Sequence, residues 1–129
     1  MRILVVDDNA EFLRAARFLL KQLGHEPVGL ARSGDEGLAL AAGLNPDVVL
    51  MDLGLPDVDG VETARRMKIQ SGSVPVIAIA GRNDMAFRHR SAEAGCDAFI
   101  PKADLADDLP RVLVRLAAKV GLTTERVHV

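Results

Sequence analysis

Four charged residues follow or border short apolar runs in a way that solubility alone does not require. Asp7 and Asp8 come directly after Ile3-Leu4-Val5-Val6. Asp52 comes directly after Val48-Val49-Leu50-Met51, and Lys102 follows Ala98-Phe99-Ile100-Pro101. If these runs are neighbouring strands, three carboxylates and one ammonium converge on one crevice. Two like charges a few ångströms apart repel by about 4 kcal/mol at an effective dielectric of ~20. A hard divalent cation offsets that repulsion. An all-oxygen set with room for water and phosphate favours Mg²⁺ over a dedicated Ca²⁺ cage.

Each residue also has a plainer reading. Asp8 with Glu11 has capping-box spacing for a first helix, and Asp59 with Glu62 has it for a later one. Lys102 is of a type that mostly sits solvated at the surface. Asp52 also reads as the mere start of a polar loop. Asp7 and Asp52 nonetheless follow apolar runs directly, and the fold does not need them there.

The elements that must position these residues alternate along the chain. Ile3–Val6 is apolar on both faces, as in a buried parallel strand. Further strands are expected at Glu26–Leu30, Asp47–Met51, Val74–Ala80 and Ala98–Ile100. Between them the apolar spacing turns helical. In Ala10–Leu23 the residues Phe12, Leu13, Ala16, Leu19, Leu20 and Leu23 share a face, and Gly24 stands at the C-cap. Ser33 with Glu36 opens a second helix, ending near Gly43. Helices are also expected at Val61–Gln70 and at Met85–Ala94, the latter stopped by Gly95. A last helix carries Leu109, Val112, Leu113, Leu116 and Val120 on one stripe, with Pro110 in its first turn. Strand and helix in alternation predict an α/β fold, a doubly wound parallel sheet with helices on both faces. Ligands of such sheets bind outside the carboxyl ends of the strands, where Asp7, Asp8, Asp52, Ala80-Gly81 and Lys102 fall.

Composition bounds the function. The chain has 129 residues, enough for one domain with its own core. Trp and Tyr are absent and Phe numbers 4, which argues against a stacking platform for bases or flavin. A net charge of −2 argues against a nucleic-acid surface. The single cysteine, Cys96, forms no internal disulfide and reads as a small buried hydrophobe. Asp7 and Asp8 interrupt the apolar run Ile3–Val6 too early for a signal-peptide core, and no stretch approaches a membrane span, so the protein is read as cytoplasmic.

The residues Val5-Val6-Asp7-Asp8-Asn9, Met51-Asp52-Leu53-Gly54-Leu55-Pro56-Asp57-Val58-Asp59-Gly60, Pro75-Val76-Ile77-Ala78-Ile79 and Gly95-Cys96-Asp97-Ala98-Phe99-Ile100-Pro101-Lys102 resemble the receiver domains of two-component response regulators. The resemblance covers residues 1–120, leaving 121–129 as a tail or the start of a linker. It implies a flavodoxin-like sheet of order 2-1-3-4-5. It implies that Asp52 accepts a phosphoryl group from a histidine kinase or histidine phosphotransfer protein. Asp7, Asp8, Asp52 and the Gly54 carbonyl would hold Mg²⁺, and Lys102 would pair with the phosphoryl group. The readout face would be the fourth helix, fifth strand and fifth helix, which also offers a route to a homodimer. Arg88, His89 and Arg90 fall there, as a basic edge for an acidic partner or as a plain solvated helix face.

The chain departs from the family at its switch positions. Ala80, followed by Gly81, stands where receivers usually carry Thr or Ser. Phe99 takes the switch aromatic without a hydroxyl, and Ala103 replaces a common proline. A second reading therefore stands beside the first: a receiver-fold interaction module with weak or phosphorylation-independent switching. A phosphatase of aspartyl chemistry is disfavoured, because Gly54 occupies the place of its acid–base aspartate. A flavin protein is disfavoured because Asp-Asp-Asn follows the first strand in place of a glycine-rich phosphate loop.

Overall fold

The computed structural model describes residues 1–55, 60–81 and 85–119. Five parallel strands, β1 (Arg2–Val6), β2 (Glu26–Ala31), β3 (Val48–Asp52), β4 (Val76–Ala80) and β5 (Ala98–Pro101), pair in the order 2-1-3-4-5. The connections contain α1 (Ala10–Gln22), α2 (Gly34–Leu44), α3 (Gly60–Gln70) and α4 (Met85–Glu93). A 3₁₀ turn at Lys102–Asp104 leads from β5 into α5 (Leu105–Lys119).

The period-2 alternation of the strands divides the core between the two faces of the sheet. Ile3, Val5, Leu50, Ile77, Ile79 and Ile100 pack against α1 and α5 through Leu13, Ala16, Leu20, Leu109, Val112, Leu113 and Leu116. Leu4, Val6, Val49, Met51, Val76 and Ala78 pack on the other face with Ala41, Val61, Ala64, Met67 and Ala94. Each fully buried Leu or Ile contributes about 1.5–3 kcal/mol. The expected core and sheet order are therefore both present. No helix among the described residues is long and apolar enough to cross a membrane.

Local corrections concern element ends. Asn9, not Asp8, caps α1: its side chain accepts from the Phe12 amide at 3.0 Å. Asp8 is thereby released from the capping role its spacing suggested. Ser33 caps α2 as expected, but Glu36 accepts from the Arg32 amide instead of closing the box on Ser33. That helix runs past Gly43 to Leu44 and stops at Asn45, which adopts a left-handed conformation (φ 49°). Gly24 (φ 85°) ends α1 as expected. Pro110 lies inside α5, beyond its first turn. It removes one amide donor, and the burial of Leu109, Val112, Leu113 and Leu116 around it outweighs that loss. Asp59 and Val120–Val129 lie outside the described residues, so the cap expected at Asp59 and the tail at 121–129 do too.

Candidate functional site

The strand register builds the site. Val6 pairs with Met51, so the next residues, Asp7 just past β1 and Asp52 as the last residue of β3, stand side by side. Ala80 pairs with Pro101, which brings Lys102 beyond the same edge. Asp7 is fully buried, Asp52 nearly so, and Asp8 sits toward solvent.

Each acid is held by backbone. The Asn9 amide donates to Asp7 Oδ1 at 2.8 Å, and the Gly54 amide donates to Asp52 Oδ1 at 3.0 Å. The Leu53 amide returns to the Ile79 carbonyl at 2.9 Å, tying the start of the β3–α3 loop to β4. Gly60 then packs so closely that a Cβ there would fall 2.4 Å from the Leu53 carbonyl. Only glycine permits that approach of the first residue of α3 to Leu53. The Asp8 carbonyl accepts from the Arg32 guanidinium at 3.2 Å.

Lys102 is the cation of the cluster. Its Nζ lies 2.6 Å from Asp7 Oδ2 and 3.7 Å from Asp52 Oδ2. It also stands over the Phe12 ring, 4.4 Å from the centroid. Carboxylate oxygens of Asp7, Asp8 and Asp52 lie within 4.8 Å of one another. One ammonium against three carboxylates leaves the crevice acidic. Its donors are all hard oxygens, which fit a divalent cation of the Mg²⁺ kind. Burial pushes the Asp52 carboxyl above its usual range. Asp7 and Asp8 push the same way, against the Gly54 hydrogen bond and Lys102.

The expected switch residues lie close by. The Ala80 methyl is buried and brings no hydroxyl to the crevice. A Cβ on Gly81 would meet nothing within 4 Å among the described residues. Phe99 is half-buried at the edge of the core, with the Arg88 guanidinium 4.7 Å over its ring. On the same helix His89 pairs with Glu93 at 2.9 Å, and Arg90 stands over Phe87 at 5.9 Å. Much of the basic edge read from the sequence is thus engaged within the chain.

Two neighbours of the cluster were not singled out for it in the sequence. Asn9 carries both the α1 cap and the amide that fixes Asp7. Phe12 was legible only as one of six apolar residues on α1. Its place in the first turn of that helix, just past Asp7-Asp8, was the available signal. Phe12 also lines a groove of about 310 Å³ with Ala15, Leu19, Ala103, Leu105 and Ala106.

Known proteins resemble this chain in sequence and fold. The family model for the response regulator receiver domain matches residues 3–113. The chain is 33% identical over 124 residues to response regulator MprA of Mycolicibacterium vanbaalenii, covering 96% of this chain and 52% of that protein. It is 34% identical over 122 residues to transcriptional regulatory protein KdpE of Mycobacterium tuberculosis, covering 95% and 52%. The chain thus spans about half the length of these curated relatives. Among solved structures, a response regulator receiver domain protein from Clostridium thermocellum superposes with TM-score 0.84 at 28% identity, covering 92% of this chain and 94% of that one. A CheY-like receiver from Methanospirillum hungatei gives 0.80 at 27%, covering 92% and 97%.

Proposed function

The chain belongs to the response-regulator receiver family, and from that premise we propose that it takes a phosphoryl group onto Asp52 from a phosphohistidine. The donor is a histidine kinase or a histidine phosphotransfer protein. The observation that carries this reading is the convergence of Asp7, Asp8, Asp52 and Lys102 at one sheet edge. A pseudo-receiver more often loses one of the acidic residues or the lysine.

In this reading an Asp52 carboxylate oxygen bonds to phosphorus while the P–N bond of the donor breaks and the imidazole leaves. The Gly54 amide holds Asp52 Oδ1, so the carboxylate is oriented before the donor arrives. Lys102 shifts from the carboxylates to a phosphoryl oxygen, a short move given its 3.7 Å distance from Asp52 Oδ2. Asp7, Asp8 and Asp52, with the Gly54 carbonyl, are the residues that would hold Mg²⁺. When bound, that ion neutralises charge on the transferring group. The domain signals rather than turning over a substrate. Its output runs through α4, β5 and α5, the same face that would form a homodimer.

A second reading, an interaction module that switches weakly or without phosphorylation, draws on the buried methyl of Ala80. One experiment separates the two. The protein is incubated with Mg²⁺ and an acyl phosphate, or with a phosphohistidine donor, and its intact mass is measured. One phosphoryl increment, absent in Asp52→Asn, supports the first reading. No increment from either donor supports the second.

A further inference from the structure

We propose that Phe12 is a positioning residue for Lys102, its ring setting where the ammonium stands between Asp7 and Asp52. The inference rests on the reading of Asp52 as phosphoryl acceptor, and it names a group outside the acidic cluster and the lysine.

Among the described residues, three contacts define the position of Lys102 Nζ. Two are carboxylates, Asp7 Oδ2 at 2.6 Å and Asp52 Oδ2 at 3.7 Å. The third is the face of Phe12, 4.4 Å from the centroid. A ring face carries negative potential and attracts a cation, and it offers no competing hydrogen bond. Phe12 therefore favours the ammonium without binding it as tightly as a further carboxylate would. It also takes space that water would otherwise fill, on a lysine whose side chain is 23% exposed.

The ring itself has a fixed seat. Phe12 follows the Asn9 cap by one turn, and its own amide donates to the Asn9 side chain. It packs against the α1–α5 core cluster on its other side. The same Asn9 residue donates its amide to Asp7. The ring and the carboxylate that share Lys102 are thus both held through Asn9. Leucine at this position would keep the packing and lose the ring face. Alanine would lose both, so Phe12→Leu and Phe12→Tyr are the informative variants.

The test uses the full chain and two independent readouts. The first is the NMR signal of the Lys102 ε-methylene, which should be displaced upfield because the adjoining Nζ stands over the Phe12 ring, 4.4 Å from its centroid. Phe12→Leu returns it toward the random-coil position, and Phe12→Tyr keeps it displaced. The second is the rate of phosphoryl adduct formation with an acyl phosphate and Mg²⁺. Loss of a cation–ring contact should slow Phe12→Leu by about two- to tenfold, with recovery in Phe12→Tyr. Unfolding midpoints of the two variants are compared to show that the fold is not the cause. An undisplaced wild-type signal overturns the proposal. So does a Phe12→Leu rate equal to wild type, or a rate equally reduced in Phe12→Tyr. If wild type forms no adduct at all, the phosphoacceptor reading fails, and the role of Phe12 in that reaction fails with it. A displaced signal would still locate the ring over Lys102, which tells the two failures apart.

Discussion

Lys102 stands nearer to Asp7 than to Asp52: its Nζ is 2.6 Å from Asp7 Oδ2 and 3.7 Å from Asp52 Oδ2. The fully buried acid therefore has the close ion pair, and the acid read as nucleophile has the looser one. That distribution leaves the Asp52 Oδ2 oxygen less tightly engaged by the lysine than Asp7 Oδ2.

Removing the ammonium exposes how much compensation it supplies. In Lys102→Met three carboxylates would face one another with no internal cation. The metal-free variant should lose about 1–3 kcal/mol, less than the ~3–5 of a fully buried pair because Lys102 keeps some solvent contact. Urea unfolding without divalent ions measures the loss. Millimolar Mg²⁺ should restore part of it, since binding to the folded state stabilises that state. Equal metal-free midpoints for variant and wild type would contradict this account.

Asp52 should depress stability at neutral pH. Burial, the largest cause, raises its folded pKa above the unfolded value of 3.8. Between those two values the folded state holds more protons, so stability falls as pH rises through the window. Asp52→Asn removes that penalty. In metal-free buffer at pH 7 the variant should melt about 3–6 °C higher, the shift that ~1 kcal/mol gives a domain of this size. The gain should shrink as pH falls through that window and vanish below 3.8, where Asp52 is neutral in both states. A constant gain across pH would point to packing instead of charge.

Much of this site's geometry is legible in the sequence. Asp7 and Asp52 each end a β-branched apolar run, and runs of similar length in parallel register must end together. Other features were hidden for physical reasons. Asp8 and Asn9 are both good capping residues, and the choice between them depends on which leaves extended backbone first. Phe12 gave the same apolar signal as Leu13 and Leu20, because periodicity reports burial and not what the ring faces. Pro110 was placed too early in its helix, because a proline's local cost is visible in sequence and the packing that outweighs it is not. Asp97 was read as one letter of a motif. Its role depends on Lys68 and Lys119, which only the folded chain brings to it.

Gly54 puts no side chain beside Asp52. A Cβ built there would lie 3.6 Å from Asp52 Oδ1, in ordinary contact, so a side chain at this position would start next to the carboxylate. If Asp52 is phosphorylated, Gly54→Arg should lengthen the lifetime of the aspartyl phosphate by several-fold. Loss of the phosphoryl increment over time, followed by intact mass, gives that lifetime. An unchanged lifetime would mean that hydrolytic water arrives from another side.

Asp97 should tilt the pH dependence the opposite way, from the other end of the sheet. Its Oδ2 accepts from Lys68 Nζ at 3.0 Å and from the Val76 amide at 2.9 Å, and its Oδ1 accepts from Lys119 Nζ at 3.2 Å. Burial pulls its pKa up, but these bonds together outweigh burial and hold it below 3.8. A lowered folded pKa gives stability that is present above the unfolded value and lost as pH falls through the folded one. Asp97→Asn keeps an acceptor for Val76 and loses both ion pairs. The cost at pH 7 should be about 1–2 kcal/mol, the range of a charge-assisted hydrogen bond. Most of it should come from Lys68, whose side chain is 19% exposed against 65% for Lys119. Urea unfolding of Asp97→Asn and wild type should therefore converge as pH drops below 3.8, from the opposite side to Asp52→Asn. Parallel curves for the two variants would show that neither carboxylate's charge, only its shape, matters to the fold.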